Sequence, residues 1–465
     1  MPSLALPPLP PRPEDSRIRA LAAELLRLAP TLPVVSAPGE LEKRSTDFHG
    51  FSPVLRPLLA QCRAQLAVAP RDREEVRVVA GACARLGVPL TVRGAGTGNY
   101  GQCVPLAGGV VLEMGGLTAL RSVEAATGVV EVEAGCLLAD LDRQLAAHGR
   151  ALRLAPSTWR TATVGGFIAG GSGGVGSLRW GFLRDPGHLL GLEVVTMEAE
   201  PRVLRLDGQA CEPLNHAYGT NGILTALRLA TAEAVDWWQL VVGFTEAEQA
   251  LDAARELPCT AFVLQELCLL EAPLAAAMPW PAGCPAPAPG EARLLMLLAP
   301  DARAAAGAWL ASRGGRVVWE EREATSRGIS LRELTWNHTT LHWRARHPEW
   351  TYLQLLLPQP EGPFLARLRA RWGDALHWHL EGVRQGGACR LAGLPVWRDQ
   401  GIASLQELMA QCQDAGAVLF DPHVLTVEDG GLGVIDAAQV ACKRQLDPAG
   451  LLNPGKLRGW WQPAT

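Results

Sequence analysis

Two glycine-dense stretches constrain this chain more than any other feature in it. Arg93-Gly-Ala-Gly-Thr-Gly-Asn-Tyr-Gly-Gln102 and Thr163-Val-Gly-Gly-Phe-Ile-Ala-Gly-Gly-Ser-Gly-Gly-Val-Gly176 begin 70 residues apart. Of the 49 glycines in 465 residues, 20 fall between positions 91 and 190. Glycine loses more conformational freedom on folding than any other residue, so such density marks backbone that needs positive φ or a very close neighbour. The first stretch contains G-x-G-x-x-G at Gly96, Gly98 and Gly101 after a strand, which matches the Rossmann pattern as a string. Rossmann glycines must open a helix, and the residues that follow here, Cys-Val-Pro-Leu-Ala-Gly-Gly, cannot form a first helical turn. The acidic ribose ligand about 20 residues further on is also missing at a strand end. A loop of this kind still binds anions, because successive N–H groups in turn conformations converge into a nest. The second stretch is expected to form a second wall, flanked by strands and not by a helix. Two such walls suit a long dinucleotide with a bulky ring system.

Periodicity places these loops in an α+β frame. Ser16–Leu28 and Leu137–His148 carry apolar residues at helical spacing, and a helix with Val76, Val79 and Cys83 ends at Gly87. Val88–Val92, Gly109–Met114, Gly128–Glu133 and Leu190–Met197 read as strands. From Val235 to about Gly416 glycine thins and helix formers dominate, with a Pro/Ala-rich stretch at 272–289 expected as a surface excursion. A strand at Ala417–Phe420 and a helix near Ala437–Gln445 close the chain. The expected organisation is a loose tail (1–15), a nucleotide-binding unit (16–234), an inserted α+β unit (235–415) and a final segment (416–465) that returns to the first unit. With 43 Lys+Arg against 47 Asp+Glu, nothing favours a nucleic-acid partner. The 11 cysteines form no CxxC pair, and no signal peptide or 18-residue apolar run is seen, so the expectation is a cytoplasmic protein without a membrane span. Peripheral attachment to a membrane stays open.

Five motifs in order then carry a resemblance. Val88-Pro-Leu-Thr-Val-Arg-Gly-Ala-Gly-Thr-Gly98, Leu154-Ala-Pro-Ser157, Thr163-Val-Gly-Gly166, Gly219-Thr-Asn-Gly-Ile-Leu-Thr225 and Leu446-Asp-Pro-Ala-Gly-Leu-Leu-Asn-Pro-Gly-Lys456 are the pieces. Together they resemble flavoproteins of the vanillyl-alcohol oxidase and p-cresol methylhydroxylase (PCMH) type, nearest the glycolate oxidase and D-lactate dehydrogenase branch. The resemblance implies a two-subdomain FAD-binding unit, an inserted α+β cap over the flavin ring and a C-terminal segment packed back on the FAD unit. It implies an FAD-linked oxidase or dehydrogenase acting on a small alcohol or 2-hydroxy acid by hydride transfer. The implied FAD contacts are Arg93, Gly94, Gly96, Thr97, Gly98, Asn99, Gly101, Gln102, Pro156, Ser157, Thr163, Gly165, Gly166, Gly170, Gly173, Gly174, Gly222, Ile223, Asn453 and Lys456. Some relatives attach FAD through a histidine where this chain has Thr97, so non-covalent binding is expected. Cys103 is read as a spectator and not as an attachment point.

For the base that takes the substrate's hydroxyl proton, a histidine has a suitable pKa. Asp421-Pro-His-Val-Leu-Thr-Val-Glu-Asp429 lies where relatives carry Gly-Glu-His-Gly, which makes His423 the expected base and Glu428 its orienting partner. Asn337 and His338, beside aromatics, are expected to touch substrate, as is His379. On a strand, His377, His379 and Glu381 share one face, a set able to take a divalent ion but read here as a polar face. The His-x-Gly-Asp-Gly-Asn-x-His segment of metal-dependent relatives is missing, and no metal is assigned. The substrate and the electron acceptor stay open. Two rivals remain: an NAD dehydrogenase, and a flavin-binding scaffold subunit of an electron-transfer complex without its own turnover.

Overall fold

The computed structural model describes residues 6–462; residues 1–5 of the expected tail and 463–465 of the closing segment lie outside them. The chain builds two sheets before residue 234 and, after it, a third, larger one and a small three-stranded one of Trp350–Tyr352, Val396–Arg398 and Leu376–His377. The first sheet has the order Val34–Val35, Leu66–Val68, Val110–Glu113, Leu90–Arg93, and its last three strands run parallel. Parallel neighbours need a crossover, supplied by the helix Arg73–Arg85. Asp72 caps it by accepting the Glu75 N–H at 2.8 Å, and its Val76, Val79 and Cys83 pack on Ile18, Leu21 and Leu25 of the helix Asp15–Leu28. Residues 6–14 carry no helix or strand, yet they are not loose. Arg12 donates to the Arg63 carbonyl at 2.9 Å, and the Pro13 carbonyl accepts from Gln65 at 2.8 Å.

The second sheet centres on the strand Ile223–Glu233, paired with Val129–Glu133 on one side and Leu189–Val195 on the other. The closing segment comes back to the first sheet. Leu452 bridges to Leu90, and the Asn453 N–H donates to the Leu90 carbonyl at 2.7 Å. Its helix Ala437–Leu446 holds the Lys443–Asp447 ion pair at 2.7 Å, with both side chains buried.

The third sheet has eight strands in the order Arg316–Arg322, Trp238–Phe244, Ala292–Leu298, Leu264–Leu270, His379–Gln385, Ala388–Gly393, Leu355–Leu356, Val418–Leu419. Its last strand comes from beyond residue 415. Leucine and alanine favour helices on their own, yet Leu264–Leu270 and Ala292–Leu298 are central strands buried along their whole length. Burial on two faces, and not local preference, decides their state. Leu267, Leu269, Leu294 and Met296 enter one core with the helices Ala247–Glu256 and Glu361–Trp372. Cys268, Leu270, Leu295 and Leu297 enter another with Leu334, Trp343 and Val175 of the second glycine stretch. The Pro/Ala-rich stretch divides: Ala272–Ala277 is a helix with Leu274 buried, and only the residues after it form an exposed loop.

Candidate functional site

The first glycine stretch follows the strand Leu90–Arg93 and contains no helix. Gly96 and Gly101 have φ of 70° and 71°, values that side-chain-bearing residues adopt only with strain. The second stretch differs from expectation. Val164–Gly170 is a short helix, N-capped by Thr163 Oγ1, which accepts the Gly166 N–H at 3.1 Å. The sequence shows a threonine before a small-residue run, which is a legitimate cap signal, but the glycine count masks it.

The two stretches touch. A Cβ on Gly94 would lie 2.3 Å from Thr163 Oγ1, and one on Gly98 would lie 2.0 Å from Gln102 Oε1. Gln102 Nε2 donates to the Gly170 carbonyl at 3.2 Å, joining the two walls. Arg93 folds over Gly96 and donates to the Thr46 carbonyl at 2.6 Å and to Cys103 Sγ at 3.1 Å. Gly165 packs on Ala134, Gly173 beside Ser177 and Phe182, and Gly174 against the Ala155 carbonyl and Pro156, next to which Ser157 is buried. Gly222 and Ile223 open the central strand of the second sheet. Thr97 lies in the first loop, where neighbouring Gly98 accepts the Phe48 N–H at 2.8 Å.

The closing segment completes the cluster. Asn453 Nδ2 donates to the Gln102 and Tyr218 carbonyls at 2.8 and 2.5 Å, and Lys456 Nζ donates to the Gly101 carbonyl at 2.6 Å. Asn453 and Tyr218 sit at φ of 41° and 52°, backbone strain that packing must hold in place. Lys456 is fully buried, and burial pushes its ammonium down to about 8, with Asp47 opposing. The buried Asn453 Oδ1 has no partner. A glycine-lined cluster with a buried cation and an unpaired amide oxygen fits a polar dinucleotide such as FAD. Cys103 is buried, which raises its thiol to about 12, so it is no thiolate.

The chain has three tyrosines, and all three border this cluster. Tyr100 stacks on Tyr218 at 6.4 Å. Tyr100 Oη donates to Gln354 Oε1 at 2.5 Å, Asn99 Nδ2 donates to Tyr352 Oη at 2.5 Å, and Gln354 Nε2 reaches Asn337 Oδ1 at 3.5 Å. Burial raises the Tyr100 and Tyr352 hydroxyls well above their ordinary range. Arg344, half-buried, lies 4.4 Å over the Phe51 ring; its Nε has no partner, and burial lowers its pKa. Tyr100, Tyr218, Tyr352, Gln354 and Arg344 escaped the sequence reading. Their signal was the rarity of tyrosine, with Tyr100 inside one glycine motif and Tyr218 beside another.

The expected His423–Glu428 pair does not form. His423 is buried, with Nδ1 2.8 Å from Ser52 Oγ and Nε2 3.0 Å from the Tyr352 carbonyl, and burial lowers it to about 4. Both ring nitrogens are engaged, so it holds the backbone of Tyr352 and has no nitrogen free for a proton. Glu428 instead accepts the N–H groups of Arg458 and Gly459 at 2.9 and 2.7 Å. The helix Asn337–Arg346 carries Asn337 and His338. His338 Nδ1 is buried without a partner, and burial, with His342 adding to it, lowers the ring to about 4. The polar strand face at 377–381 is divided between two sheets. His377 stacks on Trp350 at 5.0 Å in a three-stranded sheet, while His379 and Glu381 belong to the eight-stranded one.

Residues 64–206 match a family model described as FAD binding domain, whose cofactor is FAD. Among curated proteins the chain is 32% identical over 213 residues to a D-lactate dehydrogenase of Archaeoglobus fulgidus, covering 43% of this chain and 47% of that one. It is 31% identical over 165 residues to the glycolate oxidase subunit GlcD of Escherichia coli, covering 35% and 33%, and 28% identical over 176 residues to a probable mitochondrial D-2-hydroxyglutarate dehydrogenase of Oryza sativa, covering 36% and 31%. The match thus spans less than half the length of each relative. Among solved structures, an alkyldihydroxyacetonephosphate synthase superposes over 98% of this chain and 87% of its own with a TM-score of 0.70 at 15% identity, a likeness of fold. No helix among the described residues is long and apolar enough to cross a membrane.

Proposed function

Proceeding from an FAD binding domain at residues 64–206, we propose that the chain is an FAD-dependent oxidoreductase that oxidises a small 2-hydroxy acid, with the eight-stranded unit as the substrate cap. The observation that carries this is the polar junction of Tyr100, Tyr352, Gln354 and Asn337 at the border of the glycine cluster, beside the underused cation Arg344. The hydroxy-acid dehydrogenases among the relatives support the substrate class.

FAD would be held by the glycine loops at 93–102 and 163–174, by Asn453 and by Lys456, without a covalent link. Thr97 offers no nucleophilic nitrogen, and the Cys103 thiol stays protonated. The flavin supplies the acceptor for the two electrons of the substrate's C–H bond. Arg344 receives the substrate carboxylate, an ion pair strengthened by its partial burial. The Tyr352 hydroxyl, kept protonated by burial and accepting from Asn99, orients the substrate as a donor, while Tyr100 spends its proton in holding Gln354. His338 Nδ1, on an imidazole kept neutral, takes the hydroxyl proton. His423 positions Tyr352 through its backbone carbonyl.

The test is anaerobic mixing of the yellow, FAD-loaded protein with a panel of 2-hydroxy acids. Bleaching by at least one acid is expected, together with release of the flavin on acid precipitation. FAD that no acid reduces would favour the scaffold-subunit reading, and a colourless protein that FAD cannot reconstitute would remove the flavin assignment itself.

A further inference from the structure

The central strands Leu264–Leu270 and His379–Gln385 place four donor side chains on the sheet face that meets Val175 and the helix Asn337–Arg346. Cys268 lies opposite Glu381 in the antiparallel register, and His379 and Glu266 are each two residues along on the same face. All four are buried to 1% exposure or less. Cys268, His379 and Glu381 bring one ligand atom each to within 4.8 Å of the others. Trp336 fixes the fourth. Its backbone N–H donates to Glu381 Oε1 at 2.6 Å, and its indole Nε1 donates to Glu266 Oε1 at 3.0 Å. His379 Nδ1 stands 3.2 Å from Glu381 Oε1.

After those bonds, His379 Nε2, Glu381 Oε2 and Glu266 Oε2 remain buried with no partner. Two carboxyls, a thiol and an imidazole gathered in a fully buried space are costly unless they share protons or take a cation. None of these residues takes part in the flavin chemistry above, and neither Glu266 nor Cys268 belongs to any of the motifs that carry the family resemblance.

We propose that Glu266, Cys268, His379 and Glu381 form a closed structural site for one divalent, borderline-soft cation of the zinc class. Thiolate with imidazole and carboxylate is the donor set zinc prefers, and four protein ligands with no open position mark a structural and not a catalytic site. Tetrahedral bond lengths of about 2.0–2.3 Å place ligand atoms roughly 3.5 Å apart, so Cys268, His379 and Glu381, whose ligand atoms lie within 4.8 Å of one another, close by about an ångström through side-chain rotation. Binding exchanges the Cys268 thiol proton, and any proton on Glu266, for the metal. The ion would pin Trp336, whose backbone sits at φ 53°, and with it the start of the helix that carries Asn337, His338 and Arg344. It would also brace the strand that accepts the Gly176 N–H on the Gln265 carbonyl at 3.1 Å. The inference does not depend on the flavin reading.

The experiment uses the full chain purified from zinc-supplemented medium. Elemental analysis is expected to find about one zinc per chain, and absorption at the zinc K-edge one sulfur at about 2.3 Å. Cys268→Ser and His379→Gln should each lower retained zinc at least about tenfold, while Cys62→Ser leaves it unchanged. A second readout needs no variant: chelation should lower the wild-type melting temperature, and zinc alone should restore it. Zinc below about a tenth of an equivalent, with melting indifferent to chelator and zinc, would overturn the proposal in favour of a shared Glu266–Glu381 proton. Bound zinc without a sulfur neighbour would overturn it as well.

Discussion

The glycine cluster and the face of the eight-stranded sheet sit side by side in this molecule, and they announce themselves in opposite ways. The glycine cluster is made of backbone. Its glycines are there because Gly94 meets Thr163 and because Gly96 and Gly101 turn through positive φ, so it marks the composition of the chain. The sheet face is made of individual side chains. Glu266 and Glu381 lie on its strands, and Tyr352, Gln354 and His338 are added beside them from the three-stranded sheet, a loop and a helix, each unremarkable in its own segment. Holding a cofactor's phosphates needs repeated N–H groups, whereas choosing a substrate needs a few side chains in one place.

Breaking the first unit should have the largest effect. Asp447→Ala leaves the Lys443 ammonium buried without its partner, and loss of such a partner costs about 3–5 kcal/mol, read as a lower urea midpoint with an unchanged slope. Next comes the glycine cluster itself. Gly94→Ala drives a Cβ to 2.3 Å from Thr163 Oγ1. Overpacking of about 1–3 kcal/mol predicts flavin affinity roughly 5- to 150-fold weaker, measured by titrating FAD into the apoprotein. If that variant binds FAD as tightly as wild type, the two loops do not hold the cofactor.

On the sheet side the expected change is in turnover and not in flavin content. Arg344→Gln should lower kcat/KM for a hydroxy acid by about 10- to 100-fold, the value of a charged hydrogen bond, and leave FAD retention intact. A matching loss with an uncharged alcohol would show that Arg344 does not bind a carboxylate. The smallest effect concerns pH. The folded-state pKa of His423, about 4, lies below its ordinary 6.5. The unfolded chain therefore binds the extra proton first, and this histidine's contribution is present above pH 6.5 and lost as pH falls toward 4. Asp421 acts in the opposite sense, since burial raises its carboxyl to about 6 and its penalty grows as pH rises from 3.8. Comparing wild type with His423→Gln isolates the first of these. The variant should melt less steeply with acid between pH 6.5 and 4, and parallel curves would mean that His423 is not a buried neutral ring.

Legibility followed the same division. The parallel strand Leu90–Arg93, the helices Asp15–Leu28 and Ala437–Leu446 and the strand Val129–Glu133 lie within two residues of where periodicity places them. The short helix Val164–Gly170 is masked because glycine opposes helix in isolation, and the Thr163 cap with packing on Ala134 and Gly94 holds it. His423 looked like a base from its motif, and its role turned on Ser52 and Tyr352, which are 371 and 71 residues away.

By itself the sequence determined where backbone had to be bare, the order of the motifs and the periodicity of most elements of the first unit, because these depend on local sterics and spacing. Only the tertiary structure decided which polar groups are spent and which remain free. Tyr100, Tyr218 and Tyr352 become one junction, and Glu266, Cys268, His379 and Glu381 one buried cluster, through strand register and the packing of two units. Those contacts join residues distant along the chain, and burial then sets their protonation, so no local window contains them.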